Sequence, residues 1–156
     1  MERTLIILKP DTLQRKLVGE IVSRFERKGF QIAAMKTAVI PKDVIERHYA
    51  AHKAKDFYEP LVRYMSEQPV VLMVLRAKNA ISVARAMMGE TFGCNAAPGT
   101  IRGDLAISNR FNLIHGSDSA EAAEKEIALF FQPEEVLDAP DAQEAWVYDL
   151  STGERV

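Results

Sequence analysis

The sequence has very little of several features that mark specialised classes of protein. Its 156 residues include one cysteine, Cys94, which excludes an internal disulfide framework and suits a reducing compartment. No apolar run approaches the roughly 20 residues that a membrane-spanning helix needs. A charged pair follows Met1 directly, and nothing resembles a signal peptide. We therefore expect a cytoplasmic protein with no membrane partner.

A surplus of positive charge is also missing. The chain carries 20 basic and 22 acidic side chains, a formal net charge of −2, whereas proteins that coat nucleic acid usually have a basic surplus. Nucleic acid is therefore not expected as the main partner. Hydrophobic residues make up 47% of the chain, which is ordinary for a folded protein, and the length suits one domain.

What the sequence does contain is an alternation of strand and helix patterns. Apolar, β-branched runs predict strands, and apolar residues three and four positions apart predict helices. The predicted strands cover 4–8, 30–40, 70–75 and a short run at 113–114. The predicted helices cover 18–28, a short stretch from Pro41 to about Tyr49, the region 57–65, the stretch from Asn79 to Gly89, and a last helix from about 118 to 131. Residues 90–104 fit neither pattern and are predicted to form a long loop of the kind that often carries function.

Polar side chains predict caps at three helix starts: Asp56 with Glu59, Asn79 alone, and Asp118 with Glu121. The order of elements gives two βαβ-like halves with few strands. This order favours an α+β sandwich with helices on one face of a small sheet. An open parallel α/β sheet stays an alternative, because periodicity does not reveal strand direction.

The segment Asn-Leu-Ile-His-Gly-Ser-Asp at 112–118 holds the main candidate for chemistry, His115. A histidine between a strand and a helix start is held on rigid elements. Its neutral form is available as a nucleophile at physiological pH, and the helix start offers free N–H groups to an anion. The alternative is a structural histidine in a turn, which the segment taken alone favours.

Four further charged residues fit a phosphate site around such a histidine. Phosphoryl transfer needs cations spread around the moving group. Lys9 ends a predicted strand, Arg85 lies among apolar helix neighbours, and Arg102 sits in the glycine-containing loop 99–103, where the backbone can approach a ligand closely. Glu126, on the helix after His115, is placed to hold one imidazole nitrogen. Each alone is more often a solvated charge, and only the set indicates a phosphate site.

Phe57 begins a helix after a polar stretch and has two readings. Phenylalanine is usually a core residue. At the mouth of a cleft it would instead be a platform for a nucleobase, since every base offers a π face. Composition does not decide between the two.

Four motifs resemble the signatures of the nucleoside diphosphate kinase family. They are Leu-Lys-Pro-Asp at 8–11, Gly-Glu-Thr at 89–91, Pro-Gly-Thr-Ile-Arg-Gly-Asp at 98–104 and Asn-Leu-Ile-His-Gly-Ser-Asp-Ser at 112–119. They occur in the family's order and spacing, and the similarity runs from Arg3 to about Tyr148. The resemblance implies a ferredoxin-like α+β sandwich, with a four-stranded antiparallel sheet and helices packed on it. It also implies a single domain at residues 1–149 and a C-terminal tail at 150–156.

The same resemblance implies a role for each site residue. The catalytic residues are His115, Glu126, Lys9, Tyr49 and Ser117, and the nucleotide-binding residues are Lys9, Phe57, Arg85, Thr91, Arg102 and Asn112. The implied reaction is a ping-pong transfer, in which the γ-phosphoryl group of a nucleoside triphosphate passes to His115 and then to a nucleoside diphosphate. Mg²⁺ enters with the nucleotide and is held mainly by phosphates, so no dedicated metal ligands are expected.

Two segments depart from the family's usual pattern. Asn109 stands where the family often has an apolar residue facing the base, and Phe-Gly-Cys-Asn at 92–95 replaces the Asn-Pro-Ala that often follows Glu-Thr. The resemblance implies a homo-oligomer, and the long tail favours a hexamer over a tetramer.

Two other functions on the same fold are a binding module without turnover and an RNA-recognition domain. The complete set of site residues argues against the first. The absence of aromatic residues from 70–75 argues against the second.

Overall fold

The computed structural model describes all residues, 1–156, and contains four strands and eight α-helices. The strands are β1 (Glu2–Leu8), β2 (Gln31–Ala38), β3 (Val70–Ala77) and β4 (Ile114–Gly116). The α-helices are α1 (Pro10–Gln14), α2 (Val18–Lys28), α3 (Lys42–His48), α4 (Tyr58–Ser66), α5 (Ala80–Met88), α6 (Ile101–Leu105), α7 (Ala120–Phe130) and α8 (Glu144–Val147). Short 3₁₀ turns lie at Ala50–His52, Gly93–Asn95 and Pro133–Glu135.

The strands form one antiparallel sheet in the order β2-β3-β1-β4. β1 pairs with β3 along its whole length and with β4 over its last three residues, where Ile7 faces His115. The predicted α+β fold of the ferredoxin-like type is confirmed, and the parallel-sheet alternative is wrong. Because β1 lies beside β4, the residue that follows β1, Lys9, lies close to the strand that carries His115.

Both faces of the sheet are buried, so the expectation of helices on one face is wrong. Successive strand residues point to opposite faces. Leu5 and Ile7 of β1 belong to a cluster of 16 buried residues that includes side chains of α3, α4 and α7. Ile6 and Leu8 belong to a second cluster of 16, which includes side chains of α2, α5 and α6. Helices therefore cover the sheet on both sides.

The three predicted side-chain caps do not form where they were expected. Helix α7 is capped one residue later, by Ser119, whose extended backbone lets its Oγ accept from the Ala122 N–H at 3.1 Å. Asn79 precedes α5 but has φ 53°, and its side chain makes no capping bond. The Glu2 carboxylate accepts the Ile81 N–H of α5 at 2.9 Å instead. At α4 the residue at the cap position is Phe57, and the Asp56 side chain makes no capping hydrogen bond.

The predicted loop at 90–104 contains α6, which carries Arg102. Thr100 caps this helix, with its Oγ1 accepting the Gly103 N–H at 3.0 Å and donating to the Ala97 carbonyl at 2.6 Å. Gly89, just before the loop, has φ 80° and passes so close to Thr100 that a side chain at position 89 would collide with it. The loop is thus held rigidly against the end of α5.

The C-terminal segment lies along β2 and β3 and then turns on itself. Tyr148 accepts the Lys78 N–H at 3.0 Å through its hydroxyl, and Asp149 and Val156 exchange two backbone hydrogen bonds. Trp146 of α8 is 91% exposed. None of the helices combines the length and the apolar character that crossing a membrane requires.

Candidate active site

His115 lies in the middle of β4, and its ring is held by α7. Its Nε2 lies 3.0 Å from Oε1 of Glu126, and the hydroxyl of Ser117 donates to Oε2 of the same carboxylate at 2.6 Å. Ser117 is fully buried and also accepts the Leu5 N–H, which ties the group to β1. The His115 side chain is 24% exposed, so it is fixed on one edge and open to solvent on the other.

Two influences on the Glu126 carboxyl oppose each other. Burial raises its pKa, but the hydrogen bonds and charge of His115, together with the Ser117 hydroxyl, outweigh burial and hold the pKa below its ordinary value. Glu126 is therefore a carboxylate at neutral pH. A carboxylate at Nε2 favours the tautomer with the proton on that nitrogen, which leaves the lone pair on Nδ1.

Lys9 leaves the end of β1 and points its ammonium group at β4. Its Nζ donates to Oδ1 of Asn112 at 2.7 Å, and Nδ2 of Asn112 donates to the Thr91 carbonyl at 2.8 Å. Burial, and to a lesser degree the charge of Arg102, lower the pKa of Lys9 to about 8, while Asp11 acts in the opposite direction. Thr91 joins this network through its carbonyl, and the residue is exposed.

Arg102 is a buried cation held only by carbonyl groups. Its guanidinium donates to the carbonyls of Asn112 at 3.1 Å, Gly89 at 3.0 Å and Ile114 at 2.6 Å. Burial and the nearby charge of Arg85 lower its pKa to about 10. No carboxylate neutralises it, so its charge remains available to an anion beside β4.

Arg85 is more exposed than Arg102 and less constrained. Its Nη1 lies 3.4 Å from the carbonyl of Gly116, the residue after His115. Lys9, Arg85 and Arg102 thus surround the strand that carries the histidine. Cations placed around a reacting group stabilise the charge of a transferring phosphoryl group.

A row of aromatic rings leads from His115 to the surface. The ring centroids are 6.5 Å apart between His115 and Tyr49, 6.3 Å between Tyr49 and His52, and 5.7 Å between His52 and Phe57. Phe57 is 49% exposed, so the reading of Phe57 as a core residue is wrong. Tyr49 is buried, and burial raises the pKa of its hydroxyl above the ordinary value.

Asn109 lies in the loop between α6 and β4, at the position that the family resemblance places across the base from Phe57. Its Oδ1 accepts from the thiol of Cys94 at 3.0 Å, which joins the two segments that depart from the family's pattern. Phe111 is 55% exposed and packs edge-on against Tyr64 at 5.6 Å.

Comparison with known proteins identifies the family. The sequence model described as "Nucleoside diphosphate kinase" matches residues 2–136. The nucleoside diphosphate kinase of Pelotomaculum thermopropionicum is 50% identical over 149 residues, which cover 96% of this chain and 100% of that protein. Nucleoside diphosphate kinase A of the dog, Canis lupus familiaris, is 49% identical over 148 residues, which cover 95% and 97%. The chain belongs to the nucleoside diphosphate kinase family.

A solved structure agrees with this assignment. The halophilic nucleoside diphosphate kinase of Halobacterium salinarum, in complex with CDP, has a TM-score of 0.92 and 43% identity, and the match covers 95% of this chain and 99% of that one. Family membership makes the chain an enzyme that transfers phosphate between nucleotides, so the predicted family and enzyme class are confirmed.

Sequence reasoning missed the contribution of Asp11 to the site of this kinase. Leu113, two residues before His115, is fully buried with φ 69°, a conformation that is strained for a leucine. The Asp11 carboxylate accepts the Leu113 N–H at 3.0 Å, and the Leu113 carbonyl accepts from the Thr12 hydroxyl at 2.6 Å and the Lys9 N–H at 2.8 Å. These bonds hold β4, the strand that carries His115, against β1. The motif at 8–11 was visible in the sequence, but the partner of Asp11 was not.

His48 was also missed as a neighbour of the histidine. It is the last residue of α3, its side chain is 2% exposed, and its ring meets that of His115 edge-on at 4.8 Å. Burial and the charge of His115 lower the pKa of His48 to about 3, so it is neutral at physiological pH. Only the packing of α3 on α7 reveals its place in the kinase.

Proposed function

We propose that the chain transfers a γ-phosphoryl group by a ping-pong mechanism through Nδ1 of His115. The observation that carries the proposal is the contact of Nε2 with Glu126, whose second oxygen is held by Ser117. This contact orients the ring and places the lone pair on the nitrogen away from the carboxylate. An oriented nucleophile beside cations is what phosphoryl transfer requires.

In the first half-reaction, Nδ1 attacks the γ-phosphorus of a nucleoside triphosphate. The P–N bond forms as the bond to the bridging oxygen breaks, and the nucleoside diphosphate leaves with that oxygen. The imidazole gains positive character, which the Glu126 carboxylate stabilises through the Nε2 proton. In the second half-reaction, a terminal phosphate oxygen of an acceptor diphosphate attacks the phosphorus and releases the neutral ring.

The cations act on the phosphates, and the polar network acts on the sugar. Arg102 and Arg85 stabilise the charge that develops on the transferring oxygens, and Lys9 contacts both the phosphates and the ribose. Asn112 keeps one amide hydrogen for a ribose hydroxyl. The Thr91 hydroxyl is the remaining phosphate donor. The preorganisation of Arg102 by three carbonyls supports this assignment.

Mg²⁺ is proposed to arrive as part of the substrate, bound to the nucleotide phosphates. Magnesium prefers oxygen ligands in octahedral geometry and is commonly held by phosphates with few protein ligands. The polar groups nearest His115 are dominated by cations and imidazoles, which suit the phosphates of a magnesium nucleotide better than a bare Mg²⁺ ion.

The proposal is tested by incubating the protein with γ-labelled ATP and no acceptor. We expect the label to stay on the protein in a bond that is labile in acid and stable in alkali, and any nucleoside diphosphate to discharge it. Initial rates should give parallel double-reciprocal lines, the mark of a ping-pong exchange. Transfer that requires both nucleotides at once, with no labelled protein and intersecting lines, would exclude the mechanism.

Phe57 gives a separate prediction for the base. Phe57→Ala should weaken the binding of ADP, GDP, CDP and UDP by a similar factor, about 1–3 kcal/mol each, because stacking does not distinguish bases. Isothermal titration of the four diphosphates measures this. Trp146→Ala, which removes another exposed aromatic ring, is the control and should bind normally. Unchanged affinity in Phe57→Ala would remove Phe57 from the site, and a loss for one base alone would assign base reading to Asn109.

The assembly, extent and location of the protein complete the proposal. We propose that residues 1–149 form one catalytic domain and that 150–156 are a tail outside it. From the family resemblance we expect a homo-oligomer, with a hexamer favoured over a tetramer. From the composition we expect a cytoplasmic location. Nucleoside tri- and diphosphates are the proposed partners, and nucleic acid is not a main one.

A further inference from the structure

The buried side chain of His48 is a polar group that the proposed mechanism does not use. Its side chain is 2% exposed, and neither of its ring nitrogens has a hydrogen-bond partner. Leaving a buried polar atom without a hydrogen-bond partner destabilises the folded chain. The surrounding rings of Tyr49 and Phe130 pack against the imidazole at 4.4 and 5.2 Å but offer it no hydrogen bond. The fold therefore keeps an unpartnered imidazole next to the nucleophile.

The ring of His48 is aimed at the same carboxylate that holds His115. Its Nδ1 lies 3.7 Å from Oε1 of Glu126, and that oxygen lies 3.0 Å from Nε2 of His115. One ligand atom from each of the three residues lies within 4.8 Å of the other two. The cluster thus combines two imidazole nitrogens and one carboxylate oxygen at close range.

We propose that His48, His115 and Glu126 form a zinc site that inhibits the enzyme. Zinc binds nitrogen and carboxylate oxygen at about 2.0–2.2 Å in a tetrahedron, which places neighbouring ligand atoms about 3.3 Å apart. The separations of 3.0 and 3.7 Å lie on either side of this value, and only the two imidazole nitrogens have to approach each other. Three protein ligands leave the fourth position for water.

The choice of metal follows from the ligands. Mg²⁺ prefers an all-oxygen shell, so the magnesium that accompanies the nucleotide does not compete for two imidazoles. The cluster supplies three protein ligands, one fewer than a structural zinc site has. We therefore expect zinc to bind more weakly than in a structural site of four protein ligands, and reversibly.

Zinc would inhibit by moving one proton. In the active tautomer Nε2 of His115 carries the proton, and Nδ1 carries the lone pair. Zinc takes the Nε2 lone pair, so the ring must carry its proton on Nδ1, where nucleophilic attack is then blocked. Glu126 exchanges its hydrogen bond to the ring for a bond to the metal. This inhibition rests on the proposed function, whereas the binding of zinc does not.

Zinc binding is tested directly, on the full chain without nucleotide, by titration against a chromophoric zinc chelator at pH 7.5. We expect one zinc ion per chain. His48→Phe, which keeps a ring packed against Tyr49 and Phe130, should bind zinc at least about 10-fold more weakly. His52→Phe, at an exposed histidine outside the cluster, and Cys94→Ser, at the exposed thiol, should bind like the unaltered chain. Equal binding by His48→Phe, or no binding by the unaltered chain, would overturn the site.

X-ray absorption of the zinc-loaded unaltered chain supplies a second measurement, which does not depend on whether His48→Phe folds. Two imidazole ligands and an oxygen shell are expected, and a sulfur ligand or a shell without two imidazoles would overturn the site. Zinc should slow labelling by γ-labelled ATP in the unaltered chain and not in His48→Phe. Zinc bound at these ligands in a chain that never labels would contradict the ping-pong mechanism alone. Normal labelling with no zinc at the cluster would contradict this inference alone.

Discussion

Replacing His115 by alanine should abolish the labelled phosphoenzyme and lower turnover by about 10⁴-fold or more, the scale on which loss of a nucleophile acts. No other nitrogen is placed to take over, because His48 is buried and His52 lies further out along the row of rings. Nucleotide affinity should change little, since Lys9, Arg85 and Arg102, which are proposed to bind the phosphates, remain. Steady-state rates, label incorporation and titration with ADP measure the three quantities on one preparation.

Two matched variants separate the nucleophile from its surroundings. His52→Ala removes an exposed histidine of the same neighbourhood and should label and turn over normally. Glu126→Gln keeps the shape and can keep the bond to Nε2, but it removes the negative charge that stabilises the ring. It should form the phosphoenzyme about 100-fold more slowly and still reach full labelling. Label on His48 or His52, or full activity in His115→Ala, would contradict the assignment of His115.

The strands were predictable, and so in principle was the burial of both faces. Val70–Leu75 is a continuous apolar run without polar alternation, which is typical of a strand covered on both sides. The residues alone left strand direction open, because pairing between β1 and β3 joins positions about 70 residues apart. The antiparallel order came from the family resemblance, and the structure confirms it.

The helix caps show where local patterns stop being informative. Ser119 and Asp118 are both good capping residues, and only the backbone conformation decides which one faces the helix. At α5 the cap is the carboxylate of Glu2, 79 positions from Ile81 in the sequence, because β1 begins beside Ala77, the last residue of β3, and α5 follows β3 directly. A long-range cap of this kind leaves no local signal in the sequence.

The same limit applies to the candidate site. Lys9, Arg102 and His115 could be predicted as site residues because each lies in a short motif with a chemical reason for its residue types. The contacts of Asp11 with Leu113 and of His48 with Glu126 depend on elements packed together in the fold. A buried carboxylate and a buried histidine look like ordinary surface residues in the sequence, so their positions near β4 and His115 could not be predicted.

Replacing Lys9 is expected to have the second large effect, a loss of turnover together with a change in how the protein responds to pH. Lys9→Gln should lower turnover by about 100- to 1000-fold at pH 7, because it removes one preorganised charge from the transferring phosphate. Gln retains an amide donor for Asn112.

The Lys9→Gln variant should not lose thermal stability at pH 7. In the folded chain the pKa of Lys9 is about 8, below the ordinary 10.5, so the charged lysine itself destabilises the fold at neutral pH. This destabilisation decreases as pH rises from about 8 to 10.5, because in that range the unfolded chain binds more protons than the folded chain.

The same pKa makes nucleotide binding depend on pH in a defined direction. Phosphates favour the charged ammonium, so binding above pH 8 must take up a proton, and affinity falls as pH rises. Between pH 7 and pH 9 the charged fraction of free Lys9 drops about 10-fold, and the affinity for magnesium ADP should weaken by up to the same factor. Titration calorimetry in buffers of different ionisation enthalpy measures both the affinity and the proton uptake. In Lys9→Gln both the fall and the uptake should vanish. If the fall persists in that variant, another group is responsible and Lys9 does not touch the phosphates.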